Sequence, residues 1–165
     1  MPLDGHANNG RFVVKKRYVA ALLAAVPALG IGAAATADAA TTPSVTFTRI
    51  YFDSPGSDNR SNASLNAEYV RIHNNTGKTI QLKNWTIRDR AGHVYTFTYG
   101  TLPKGTTVYV HTGHGTNGKP NWWERYWQSG NYIWNNDGDT ATLKDPSGKT
   151  VDTCKYSGSG SSTNC

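Results

Sequence analysis

The sequence predicts an all-β domain arranged as a sandwich or a barrel. Beyond Ala40, apolar and polar residues alternate through most of the chain, which is the side-chain period of a β-strand. Residues that favour turns interrupt the alternation roughly every 8–12 residues, a spacing typical of sandwiches and barrels. No segment in this region keeps a helical period for more than a few turns, so a helical fold is excluded.

Roughly eight short strands account for the alternating stretches. In order they are Val45–Phe52, Glu68–Asn74, Thr79–Leu82, Trp85–Asp89, Val94–Tyr99, Thr106–Thr112, Asp139–Asp145 and Thr150–Tyr156. Turn sequences separate them, such as Asn75–Gly77, Arg90–Gly92, Pro103–Gly105, Asn136–Gly138 and Asp145–Gly148. The residues expected on the core face are Val70, Ile72, Trp85, Ile87, Leu143 and Val151.

Two stretches between the predicted strands lack the alternating pattern, and a third follows the last strand. Residues 53–66 form a polar segment that is expected to be a loop, and residues 113–131 form a long excursion rich in glycine and tryptophan. Long loops inside a compact domain are often functional. The Gly/Ser-rich tail, residues 157–165, has the composition of a flexible segment.

Composition limits the class of protein. The chain has 165 residues and a formal net charge of +6, with 37% hydrophobic and only 17% charged residues. The aromatic content is too high for a disordered chain, and two cysteines are too few for a disulfide-built miniprotein. The low charge content also argues against a helical bundle or a coiled coil.

The pattern of the first 39 residues predicts a secretory signal peptide. A basic block that ends at Arg17 precedes an apolar run, Tyr18–Ala35, and the small residues Ala37 and Ala39 follow. The alternative is an uncleaved membrane anchor, but the run is mostly Ala and Gly and contains Pro27. We therefore expect a secreted, extracellular protein whose mature part has no membrane span.

The two cysteines follow this segment. In an oxidising compartment Cys154 and Cys165 are expected to form a disulfide that joins the tail to the last strand.

Three segments carry a resemblance to a known family. They are Glu68–Asn74 (EYVRIHN), Ile80–Phe97 (IQLKNWTIRDRAGHVYTF) and Ile133–Asp152 (IWNNDGDTATLKDPSGKTVD). Their order and spacing resemble the lamin tail domain, which occurs in nuclear lamins and also in secreted bacterial proteins. The resemblance runs from about Val45 to Tyr156, so residues 40–156 are expected to form this domain. It implies an immunoglobulin-like antiparallel β-sandwich and a non-catalytic binding or tethering module.

Catalytic, cofactor and metal motifs are weak. The chain has neither a G-x-S-x-G elbow nor an H-E-x-x-H motif, so an extracellular hydrolase is the least favoured alternative. Gly113, Gly115 and Gly118 match a dinucleotide fingerprint, but no βαβ unit surrounds them, and turn glycines are the better interpretation. His111 and His114 lack the further ligands that zinc needs. No cofactor and no metal are predicted, and binding of Ca²⁺ stays open.

Two sets of residues are candidates for a binding surface. One set would hold a polyanion if its members share a sheet face, and the alternative is an ordinary solvated face; its members are Arg71, Lys83, Arg88, Arg90 and Lys144. The other set is aromatic, and it forms either a packed lid or an exposed platform; its members are Trp122, Trp123, Tyr126 and Trp127. The expected protein is a monomer whose partner is a protein, a cell-surface polymer or extracellular nucleic acid.

Overall fold

The computed structural model describes residues 42–165. The signal segment expected at residues 1–39 lies outside the described residues. Within residues 42–165, no helix is long and apolar enough to cross a membrane.

Strands dominate the described chain, which confirms the all-β prediction. The elements are β1 (Val45–Tyr51), α1 (Asn62–Ala67), β2 (Tyr69–Asn74), β3 (Ile80–Gln81), β4 (Thr86–Arg88), β5 (Val94–Thr96), β6 (Thr101–Leu102), β7 (Thr107–His111), β8 (Glu124–Tyr126), β9 (Asp139–Lys144), β10 (Thr150–Tyr156) and β11 (Ser162–Asn164). All eight predicted strands are present, and most of them are slightly shorter than the sequence suggests.

The strands form two main sheets that enclose one core. One sheet has five strands in the order β11-β1-β2-β7-β8, and the other has four in the order β10-β9-β4-β5. β3 and β6 form a separate pair. Neighbours in the two main sheets are antiparallel, except that β8 runs parallel to β7. This parallel pair is possible because the long excursion after His111 gives the chain enough length to return in the same direction.

The core lies between the inner faces of the two sheets. Its largest fully buried side chains include Trp134, Phe47, Phe52 and Phe97. Five of the six predicted core residues are buried, namely Val70, Ile72, Trp85, Ile87 and Leu143, and Val151 is partly buried against them. Inward positions alternate with half-exposed ones along β2 and β9, so each main sheet presents a second face to solvent.

Four short elements are absent from the sequence prediction because their sequences look like loops. α1 begins inside the predicted polar loop, where the Ser61 side chain caps it by accepting a hydrogen bond from the Ser64 N–H. β8 lies inside the long excursion, and β6 has only two residues. Within the Gly/Ser-rich tail, residues 162–164 form β11 on the free side of β1.

A disulfide explains why this Gly/Ser-rich tail is ordered. Cys154 lies on β10 of the four-stranded sheet, and Cys165 directly follows β11 of the five-stranded sheet. The predicted Cys154–Cys165 bond is present and joins the two sheets at this edge.

Candidate functional site

The outer face of the four-stranded sheet is covered by threonine, lysine and arginine. Lys144 lies opposite Thr86, Arg88 opposite Thr142, and Lys155 opposite Thr140. We call this surface, with Arg88, Arg90, Lys144, Lys155 and their threonine neighbours, the basic face. A shallow concavity of about 460 Å³ on it is lined by Arg88, Arg90 and Lys144 together with Asp89 and three threonines.

The two buried carboxylates next to the basic face accept hydrogen bonds from backbone N–H groups. The buried Asp89 side chain accepts hydrogen bonds from the N–H groups of Gly92 and His93 at 2.7 Å, and it pairs with the His93 ring. The buried Asp139 side chain accepts the Arg90 N–H at 2.9 Å. Neither carboxylate lies against a lysine or arginine side chain as a salt-bridge partner, so the cations of the basic face keep their charge unneutralised.

Arg90 is fixed more firmly than its neighbours. Its guanidinium donates a hydrogen bond to the Gly138 carbonyl at 2.9 Å, in the turn that precedes β9. The guanidinium of Arg88 and the ammonium groups of Lys144 and Lys155 make no hydrogen bond within residues 42–165. These three side chains are therefore free to meet an anion, while Arg90 also has a structural role.

The structure brings together only part of the predicted polyanion set. Arg88, Arg90 and Lys144 lie around the same concavity, as the set requires. Arg71 lies on β2 of the other main sheet, and Lys83 lies in the turn before β4, away from the residues that line the concavity. Lys155 is absent from the predicted set, because only the register of β9 and β10 places it beside Thr140 on this face.

The outer face of the five-stranded sheet has a different composition, dominated by tyrosine, arginine and histidine. Two rows of side chains cross its strands. One row runs through Arg49, Arg71, Tyr109 and Glu124, and the other through Tyr51, Tyr69, His111 and Tyr126. We call this surface the tyrosine–arginine face.

Rings in the second row contact one another across the strands. Tyr51 and Tyr69 are stacked with centroids 5.5 Å apart, and His111 and Tyr126 are stacked at 5.4 Å. Both ring nitrogens of His111 are engaged, Nδ1 with the Asn66 carbonyl at 2.7 Å and Nε2 with the Glu124 carboxylate at 2.6 Å. His111 is thus part of a network in which both ring nitrogens have a partner.

The predicted aromatic set is divided between core and surface. Trp123 and Trp127 pack against the core, and Trp127 meets Trp134 edge-on at 5.9 Å. Trp122 is 44% exposed, and Tyr126 joins the tyrosine–arginine face. The four side chains therefore do not form one continuous platform.

The glycines of the excursion are required by close packing. A Cβ on Gly115 would lie 2.5 Å from the Tyr126 ring, and one on Gly113 would lie 2.6 Å from the Asn66 side chain. These contacts account for Gly113 and Gly115 by close packing against neighbouring side chains, whereas Gly118, with a φ of +80°, has the conformation of a turn glycine.

Glu68 is a carboxyl group with a strongly raised pKa, and its side chain belongs to the core. One of its carboxylate oxygens accepts hydrogen bonds from the Thr112 hydroxyl at 2.5 Å and from the N–H groups of Ile133 at 2.8 Å and Trp134 at 3.3 Å. Burial raises its pKa to about 7 despite these bonds. The carboxyl group is fully buried. Its hydrogen bonds connect the ends of β2 and β7 in the five-stranded sheet with the segment that leads to β9 in the four-stranded sheet.

No group of three or more His, Cys, Asp or Glu side chains within residues 42–165 has the arrangement of a metal site. The two antiparallel sheets and the core between them define an immunoglobulin-like β-sandwich. The model of the lamin tail domain family matches residues 38–158, and the chain belongs to this family, whose domain is non-catalytic. No curated protein matches the chain.

Proposed function

We propose that this chain is an exported, non-enzymatic lamin-tail module that binds an anionic polymer outside the cell on its basic face. Export is supported by the pattern of residues 1–39 and by the disulfide, because disulfides persist in oxidising compartments. The fold family supports a module that binds rather than one that catalyses.

One observation carries the choice of ligand. Within residues 42–165 both salt bridges involve histidine, and no lysine or arginine has a carboxylate partner. The buried carboxylates beside the basic face, Asp89 and Asp139, accept hydrogen bonds from backbone N–H groups. Arg88, Lys144 and Lys155 lie on neighbouring strands of this face. A cluster of unpaired cations on a regular surface attracts a polymer of phosphates, since binding releases the counterions of the polymer.

Duplex DNA is the probe that tests this proposal. Binding of a fluorescently labelled duplex to the purified protein would be measured by anisotropy between about 50 and about 200 mM salt. We expect the triple variant R88Q/K144Q/K155Q to bind more weakly, with the slope of log K against log salt reduced by about 2.7, or about 0.9 for each lost phosphate contact. Arg90 is kept, because its guanidinium bonds the Gly138 carbonyl.

The matched control removes the same charge elsewhere. Lys78, Lys104 and Lys119 are exposed loop residues, and K78Q/K104Q/K119Q should keep the wild-type slope. Equal weakening in both triple variants would mean that net charge alone attracts DNA, and no binding at about 50 mM salt would refute the proposal. Competition by an anionic cell-wall polymer then distinguishes the two sources of phosphate.

A further inference from the structure

The tyrosine–arginine face places a row of cations beside a row of aromatic rings. Arg49 and Arg71 lie directly opposite each other on β1 and β2. Tyr51 and Tyr69 form the next pair along the same two strands, on the same side of the sheet. The two rows therefore run side by side across the strands.

Neither member of the arginine pair has a carboxylate partner among residues 42–165. Like charges directly opposite on adjacent strands repel each other and destabilise the sheet. Arg49 donates only to the Ser162 hydroxyl at 2.8 Å, and the two guanidiniums lie 5.9 Å and 5.8 Å from the ring centres of Tyr51 and Tyr109. Glu124 is the one carboxylate in either row, and it lies at the far end, where it pairs with His111. An anion bound between the two arginines would relieve the repulsion.

The ring row offers contacts that suit the bases of a nucleic acid. Successive ring centres from Tyr51 through Tyr69 and His111 to Tyr126 are 5.5, 5.8 and 5.4 Å apart. The hydroxyl groups of Tyr51, Tyr69 and Tyr109 make no hydrogen bond within residues 42–165, and the three side chains are partly exposed. Proteins that bind single strands combine cations that follow the phosphates with aromatic side chains that stack on successive bases.

We infer that the tyrosine–arginine face binds single-stranded nucleic acid, with the phosphates along the arginine pair and the bases against the tyrosine rings. A duplex hides its bases inside the helix, so it can use the arginines but not the ring row. This inference concerns a different sheet from the basic face, and it stands or falls independently of the proposed function.

The direct test compares two strands that differ only in their bases. A labelled 15-mer of thymidine and an abasic 15-mer with the same sugar–phosphate chain would be titrated against the purified protein. We expect the thymidine strand to bind at least tenfold more tightly, because stacking adds to the phosphate contacts. Equal affinity for the two strands, or no binding of the thymidine strand, would overturn the inference.

Paired variants identify the chemistry of the rings. Y51F/Y69F keeps the rings and should retain nearly the wild-type affinity for the thymidine strand, whereas Y51L/Y69L should lose most of the preference over the abasic strand. Equal loss in both double variants would assign binding to the hydroxyls and refute stacking of the bases on the rings. Thermal unfolding checks that the leucine variant is folded, and the comparison of the two strands on wild-type protein decides the question if it is not.

Charge variants separate this face from the basic face. R49Q/R71Q should weaken binding of the thymidine strand and reduce its salt slope by about 1.4, or about 0.7 per phosphate for a single strand. R88Q/K144Q/K155Q should leave the preference for the thymidine strand over the abasic strand unchanged. If instead the basic-face variant abolishes that preference while R49Q/R71Q keeps it, the single strand binds on the other sheet and the inference is wrong.

Discussion

The two outer faces of the sandwich carry different kinds of side chains. On the basic face the cations stand among threonines, and three of the four make no hydrogen bond within residues 42–165. On the tyrosine–arginine face nearly every side chain contacts a ring or an imidazole on the next strand. On the basic face, most of the charged side chains are not held by hydrogen bonds within the described chain. On the tyrosine–arginine face, the charged side chains lie beside rings that hold one another in place. Charge alone favours binding without regard to sequence or strand number, whereas fixed rings add a requirement for accessible bases.

Two connections hold these faces on one folded unit. Glu68, before β2, bonds Thr112 at the end of β7 and the backbone that leads toward β9. The Cys154–Cys165 bond joins β10 to the end of β11. Glu68 contacts both sheets, whereas the disulfide lies at one edge. Loss of the Glu68 contacts should therefore weaken binding on the two faces equally. Loss of the disulfide should weaken binding on the two faces unequally.

The largest effect is expected from the pH dependence of Glu68. Its pKa is about 7 in the folded state against 4.5 ordinarily, so between these pH values the folded protein keeps a proton that the unfolded chain releases. The free energy of unfolding should therefore fall as pH rises through this window, by about 3 kcal/mol in total. Urea unfolding on either side of the window, at about pH 3.5 and about pH 7.5, measures the fall.

The matched variant for this experiment is Glu68→Gln, which keeps an oxygen for the three donors and cannot ionise. Because this side chain cannot release a proton, the free energy of unfolding of the variant should change by about 3 kcal/mol less than that of the wild type between the two pH values. Identical pH profiles for the two proteins would show that Glu68 does not titrate in this window. Since Glu68 joins both sheets, the two faces should lose binding together when the wild type unfolds.

The next effect concerns the disulfide and should differ between the faces. C154A/C165A should lower the free energy of unfolding by about 2–3 kcal/mol, because the bond closes a short loop, with a sequence separation of 11. β11 should then leave β1, and Arg49 would lose its Ser162 partner. Binding of the thymidine strand should weaken more than binding of duplex DNA. Equal weakening would show that the disulfide acts only through overall stability.

The smallest effect compares one residue from the middle of each face. Tyr69 contacts the rings of Tyr51, Tyr109 and His111, so Tyr69→Ala should lower the free energy of unfolding by about 2 kcal/mol. Thr142 lies between Arg88 and Thr153 on the basic face, and Thr142→Ala should cost less than about 1 kcal/mol. If urea unfolding shows similar losses of unfolding free energy for the two variants, the ring contacts of Tyr69 add no stability.

The sequence by itself determined the fold class and most of the strands. Alternation in segments such as Trp85–Asp89 reports which side chains are buried, because strand geometry sends neighbours to opposite faces. The segments that resemble the lamin tail domain placed the chain in the family that the family model confirms. The cysteine pairing also followed from the sequence, since only two cysteines are present.

Only the tertiary structure decided which residues share a face. Arg71 and Arg88 have the same outward position on their strands, but β2 and β4 belong to different sheets, so the predicted polyanion set is divided. The row of rings on the tyrosine–arginine face depends on the pairing of β1, β2, β7 and β8. Local alternation of apolar and polar residues does not show which distant strands pair or in what register. The order of the tail likewise comes from pairing with β1 and from the disulfide, because its Gly/Ser composition alone favours disorder.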